Sequence, residues 1–138
     1  MKKLLIVCLA LTATLALGGC GKTYPIYSVN DFPTPAVTTE KAMQKAILEA
    51  GSLNGWEMTV IKPGLIEGVN KWGNGKHAAV VSIPYSATHY SILYKSSVNL
   101  KAAKGKIHRT YNRLVQDLDN NIRSRIETDA ALARDAQK

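Results

Sequence analysis

The chemistry-bearing side chains of this 138-residue chain are few: three histidines (His77, His89 and His108), two cysteines (Cys8 and Cys20) and ten acidic residues. Nucleophilic catalysis needs Ser, Cys or Thr beside a positioned base. His77 begins a strand-like run, and His89 lies in the loop at that run's far end. Eight strand residues hold two such points roughly 27 Å apart, at about 3.3 Å per residue. His108 sits beside the apolar stripe of a later helix. No His-x-x-x-His or Glu-x-x-His pair occurs, so a metal site has no local ligand pair. The acids are scattered and form no catalytic carboxylate pair. Gly73-Asn74-Gly75-Lys76-His77 is only superficially a phosphate loop. A true one has Gly where Asn70 stands and Ser or Thr where His77 stands. A hairpin loop using Gly for positive φ explains it better. The expectation is a protein that is not an enzyme, with no catalytic residue, no metal and no cofactor.

Positive charge is the strongest surface signal. The chain carries 18 Lys and Arg against 10 acids, a net +8. Lys101, Lys104, Lys106, Arg109 and Arg113 fall within 13 residues together with His108 and without an acid. Such a cluster attracts anions: phospholipid headgroups, lipopolysaccharide phosphates or acidic glycans. It also suits an ordinary solvated helix face.

The N-terminus explains where such anions would be met. Met1-Lys2-Lys3 precedes an apolar run from Leu4 to Leu17, broken only by Thr12 and Thr14 and ended by Gly18-Gly19-Cys20. That is a signal peptide pattern, and it is shorter than the roughly 20 apolar residues of a membrane span. Leu17-Gly18-Gly19-Cys20 resembles the lipobox of bacterial lipoproteins. The resemblance implies that the Cys20 thiol receives a diacylglycerol, that cleavage follows Gly19, and that the new amino group is acylated. Gly21 in place of Asp implies transport to the outer membrane, facing the periplasm, where an outer membrane exists. Two or three acyl chains hold a protein stably, whereas one does not. Cleavage would remove two lysines and no acid, so +8 would fall to +6 over 119 residues. It would leave no free thiol. The anchor would also keep the domain away from nucleic acid.

The remaining elements follow from pattern. Residues 21–37 hold Pro25, Pro33 and Pro35 and read as a tether after the lipidated Cys20. Tyr24, Ile26 and Tyr27 offer the alternative of an edge strand. Thr38-Thr39-Glu40 caps a helix whose apolar face is Met43, Ala46, Ile47 and Ala50, with Gly51 as its stop. Trp56–Ile61 and Leu65–Asn70 flank Lys62-Pro63-Gly64-Leu65, which has the residues of a type II turn. His77–Tyr85 and Tyr90–Ser96 form a second hairpin when Tyr85 faces Tyr90, Ile83 faces Ile92 and Val81 faces Tyr94. Tyr85, Tyr90, Tyr94 and Tyr111 read as core rather than as a sugar-stacking surface. From about Lys106 to Ile126 the residues Ile107, Tyr111, Leu114, Leu118, Ile122 and Ile126 form one helical stripe. Arg109, Arg113, Gln116, Asn120 and Arg123 form the opposite face. Residues 127–138 lose the stripe and should fray. The fold expectation is α+β: a four-stranded antiparallel meander over residues 38–126, with two helices packed on one face.

The run Ala46-Ile47, Gly55-Trp56, Pro63-Gly64, His77–Tyr85, Tyr90-Ser91-Ile92, Tyr94–Leu100, Ile107-His108 and Tyr111-Asn112 resembles a group of small bacterial lipoproteins of uncharacterised function. The likeness covers roughly residues 42–126. That group often carries Trp two residues after Tyr-Asn, where this chain has Leu114. The resemblance implies fold and compartment and brings no activity. Two functional expectations follow. The first is a non-enzymatic envelope lipoprotein whose domain binds a protein partner or envelope component. The second is binding of anionic lipid, lipopolysaccharide or glycan through the basic cluster.

Overall fold

The computed structural model describes residues 21–35 and 39–138. Cys20, the lipobox residues Leu17, Gly18 and Gly19, and the signal peptide lie outside the described residues. In chain order the elements are β1 (Thr23–Pro25), β2 (Val29–Pro33), α1 (Glu40–Leu53), β3 (Glu57–Lys62), β4 (Leu65–Trp72), β5 (His77–Pro84), β6 (His89–Val98), β7 (Lys106–His108) and α2 (Arg109–Asp135). The architecture is α+β, with a five-stranded antiparallel sheet in the order β2-β6-β5-β4-β3 and a two-stranded ribbon β1-β7.

The expected meander is present as β3 to β6. Gly64 takes φ +82° in the first hairpin turn, as a type II turn requires. The second hairpin has the expected register, with Tyr85 bridged to Tyr90 and Val81 facing Tyr94. One face of the sheet is the core face. Ile66, Ala79, Val81, Ile83, Tyr90 and Ile92 are buried there against Met43, Ala46, Ile47 and Ala50 of α1. From α2, Tyr111, Val115, Leu118, Ile122 and Ile126 join the same core. Among the described residues no helix covers the other face, and none is long and apolar enough to cross a membrane.

Five expectations are corrected. The sheet has five strands rather than four, because β2 pairs with β6. The stretch read as a tether is docked, as the edge-strand alternative at Tyr24 allowed: β1 pairs with β7 and β2 closes the sheet edge. The second helix starts at Arg109, not near Lys106, since Ile107 is fully buried in β7 opposite Tyr24. It also continues to Asp135 instead of fraying after Ile126, helped by the buried Ala130. Finally, Gly51 does not stop α1. Asn54 caps it, with its side-chain amide donating to the Ala50 carbonyl at 3.1 Å. Gly51 instead lets Met58 approach, and a Cβ there would fall 2.4 Å from the Met58 Sδ.

Candidate functional site

β7 and the N-terminus of α2 gather the basic cluster at one end of the molecule. Lys106 lies in β7, and Arg109 and Arg113 lie one helical turn apart on α2. Lys101 and Lys104 lie in the loop between β6 and β7. All five side chains are exposed. Asn99, Lys101 and Lys104 have φ between +51° and +55°, a left-handed conformation that costs a non-glycine residue energy. The loop is thus held in shape against local preference, with the Ile26 N–H donating to the Gly105 carbonyl at 2.9 Å.

A hollow of about 630 Å³ opens at the start of α2, lined by Tyr24, His108, Arg109, Thr110, Asn112, Arg113 and Gln116. A second of about 270 Å³ adjoins it, lined by Gly21, Lys22, Tyr24, His108 and Arg109. Neither lining contains an acid, and the first turn of α2 has none. The positive end of the helix dipole and two guanidiniums therefore act together on any anion in this hollow. Gly21 packs so closely on Lys101 that a Cβ would fall 2.6 Å from its Nζ. The first described residue thus lies within the basic end.

Asn112 fastens the N-terminal segment here. Its Nδ2 donates to the Pro25 carbonyl and its Oδ1 accepts from the Tyr27 N–H, both at 2.9 Å. Docking of the segment is the edge-strand alternative offered by Tyr24, Ile26 and Tyr27. The Asn112 clasp is the part that sequence reading missed, and its trace is the Asn112 position on the flank of the helical stripe.

The three histidines are spent locally and apart. His77 stacks on Trp72 at 5.4 Å between ring centroids. His89 Nδ1 lies 2.8 Å from the Thr88 hydroxyl. His108 caps α2, its Nδ1 accepting from the Thr110 N–H at 3.3 Å. The glycine-rich segment 73–76 is a hairpin turn with three residues at positive φ. No group of three metal-ligating side chains exists among the described residues.

A buried polar cluster was not foreseen. Asp119, expected among scattered acids, is buried and binds Tyr90 and Arg123. Arg123, read as a solvent-face residue, lies half-buried over Phe32. Burial, and then the bond to Asp119 and its charge, push the Tyr90 hydroxyl far above its ordinary value of 10.0, against the opposing pull of Arg123. The expected core tyrosines are buried at 85, 90 and 111 and half-buried at 94. No protein-family model, curated protein or solved structure matches this chain.

Proposed function

We propose that the protein is a non-enzymatic, lipid-anchored envelope protein whose domain rests its basic end on anionic headgroups of the membrane that holds it. The carrying observation is the position of Gly21 and Lys22. The residue that follows Cys20 packs on Lys101, and its neighbour shares a hollow with His108 and Arg109. A lipid on Cys20 would thus leave from the basic end, without a long leash. The anchor and the charges then act at the same surface, which is the two-signal arrangement that holds peripheral proteins firmly. Gly21 after the lipid Cys supports the periplasmic side of an outer membrane.

The test has two arms. Cys20→Ser should abolish incorporation of labelled palmitate and leave the precursor uncut. Residues 21–138 should float with anionic vesicles at low salt and lose binding as salt rises. Arg109→Gln with Arg113→Gln should weaken flotation severalfold. Normal labelling of the Cys20 variant would overturn the anchor, and salt-insensitive or charge-insensitive flotation would overturn the seat.

A second reading, a protein partner, draws on the sheet face without helices, where Val69, Val80 and Leu93 are only half-buried.

A further inference from the structure

Among the described residues, β3 is a free edge of the five-stranded sheet. It spans six residues without proline, and Val60 and Ile61 are 39% and 51% exposed. The opposite edge, β2, is guarded by a register shift between Val29 and Phe32, by Asp31 at φ 48° and by Pro33. Such devices stop an edge from pairing with another chain. β3 has a bulge too, with a different consequence. Glu57 faces Val69 and Lys62 faces Leu65. Val69 and Leu65 are four residues apart on β4 and so share a sheet face. Residues five apart on a regular strand point opposite ways. The extra residue between Val60 and Lys62 turns Lys62 to the face of Glu57. The edge therefore presents an acid at its start and a base at its end, on one side.

We propose that β3 pairs antiparallel with β3 of a second copy about a two-fold axis through Thr59, joining two sheets into one of ten strands. In this register Thr59 faces Thr59 and Met58 faces Val60 of the second copy. Because the bulge takes up Ile61, Glu57 then faces Lys62 of the second copy. Thr–Thr, apolar–apolar and opposite-charge pairs are the favoured cross-strand neighbours. A two-fold axis makes the last two contacts twice. A parallel in-register pairing would instead set Glu57 beside Glu57 and Lys62 beside Lys62. Self-complementarity of charge thus selects a second copy, in the antiparallel sense, as the occupant of this edge.

The experiment uses the full-length chain in cell membranes. Thr59→Cys should give a disulfide-linked species of twice the chain mass on mild oxidation. Ser82→Cys, on the uncovered face of central β5, should not. Adding Glu57→Lys to the Thr59→Cys chain should cut the linked fraction roughly tenfold, since the axis counts each charge change twice. Lys62→Glu should do the same, and both together should restore linking. The unmodified chain in mild detergent should sediment at twice the mass of its Glu57→Lys variant. Linking no greater than for Ser82→Cys, no restoration by the double swap, equal sedimentation, or a linked species containing a different protein would each overturn the pairing.

Discussion

Tyr90 donates a 2.6 Å hydrogen bond to Asp119 Oδ1, and Arg123 holds the other carboxylate oxygen, Oδ2, also at 2.6 Å. Both oxygens of a buried carboxylate are thereby satisfied from two directions, the sheet and the helix. The Arg123 guanidinium also lies 3.7 Å above the Phe32 ring centroid, a cation–π contact. Burial works against the Arg123 charge. The bonds to Asp119 and Tyr90, with their charges, outweigh it and raise its pKa above the ordinary value. The cluster joins β2, β6 and α2, so it helps keep the N-terminal segment on the domain. A buried ion pair is not itself a large source of stability, but removing one member is costly because the other is left unpaired.

Two tyrosines of similar burial should therefore respond unequally to loss of the hydroxyl. Tyr90→Phe removes a donor to a buried carboxylate and should cost about 1.5–3 kcal/mol. The Tyr111 hydroxyl is buried without a hydrogen-bond partner among the described residues. Tyr111→Phe should cost less than about 0.5 kcal/mol, or stabilise, because an unsatisfied polar group leaves the core. Urea unfolding midpoints at constant slope would check both. Equal losses would contradict the assigned hydrogen bonding.

How far this was legible from the sequence depends on distance along the chain. The hairpin of Tyr85 and Tyr90 and the turn at Pro63-Gly64 are local, and their patterns carry the register. The basic residues between Lys101 and Arg113 are also local, and the fold brings them to one end. By contrast, β1 is three residues long and finds β7 more than eighty residues away, so no periodicity announces it. Prolines at its end and at the end of β2 resemble a linker. Asp119 shares α2's buried stripe with Val115 and Ile122, but a lone acid there reads as a surface residue until Tyr90 and Arg123 are placed around it.

Alkaline pH should expose the buried phenols. Burial is the largest influence on both hydroxyls, and Tyr94 adds a further push at Tyr111. Unfolded, each would ionise near the ordinary 10.0. A raised folded pKa means that the contribution to stability is full below pH 10. It then declines as pH climbs from there toward the folded values. The protein should unfold in this alkaline window, with a phenolate absorbance step coincident with loss of helix signal. Tyr90→Phe and Tyr111→Phe should each shrink that step. A phenolate change completed well before unfolding would show that these hydroxyls are open to solvent.

Gly51 offers a test whose sign reverses with its neighbour. Ala is favoured over Gly inside a helix by about 1 kcal/mol. In this protein the added Cβ would meet the Met58 Sδ, Cγ and Cε between 2.4 and 2.6 Å. Gly51→Ala should therefore destabilise by about 1–3 kcal/mol, the usual cost of overpacking. In a Met58→Ala background the clash is gone, and the same change should stabilise by several tenths of a kcal/mol or more. A double-mutant cycle on thermal midpoints measures this coupling. Additive effects would mean that Met58 does not press on α1.

Asn112 should control how closely the N-terminal segment is held. Its two 2.9 Å bonds, to the Pro25 carbonyl and from the Tyr27 N–H, bridge more than eighty residues of chain. Asn112→Ala removes both and leaves those backbone groups to water, at a cost of about 1–2 kcal/mol. The loss should fall on the strap rather than on the whole fold, because the sheet and its helices pack without it. Hydrogen exchange at Tyr24 and Tyr27 should speed up by roughly tenfold or more, while exchange in β5 stays unchanged. Asn112→Asp keeps the acceptor and loses the donor, so it should release Pro25 but retain much of the Tyr27 protection. If the strap is what keeps Gly21 and Lys22 at the basic end, Asn112→Ala should also reduce flotation of residues 21–138 with anionic vesicles. Lys22 would then no longer be held beside Arg109. Unchanged exchange at Tyr24 and Tyr27 would show that the β1–β7 pairing alone fixes the segment.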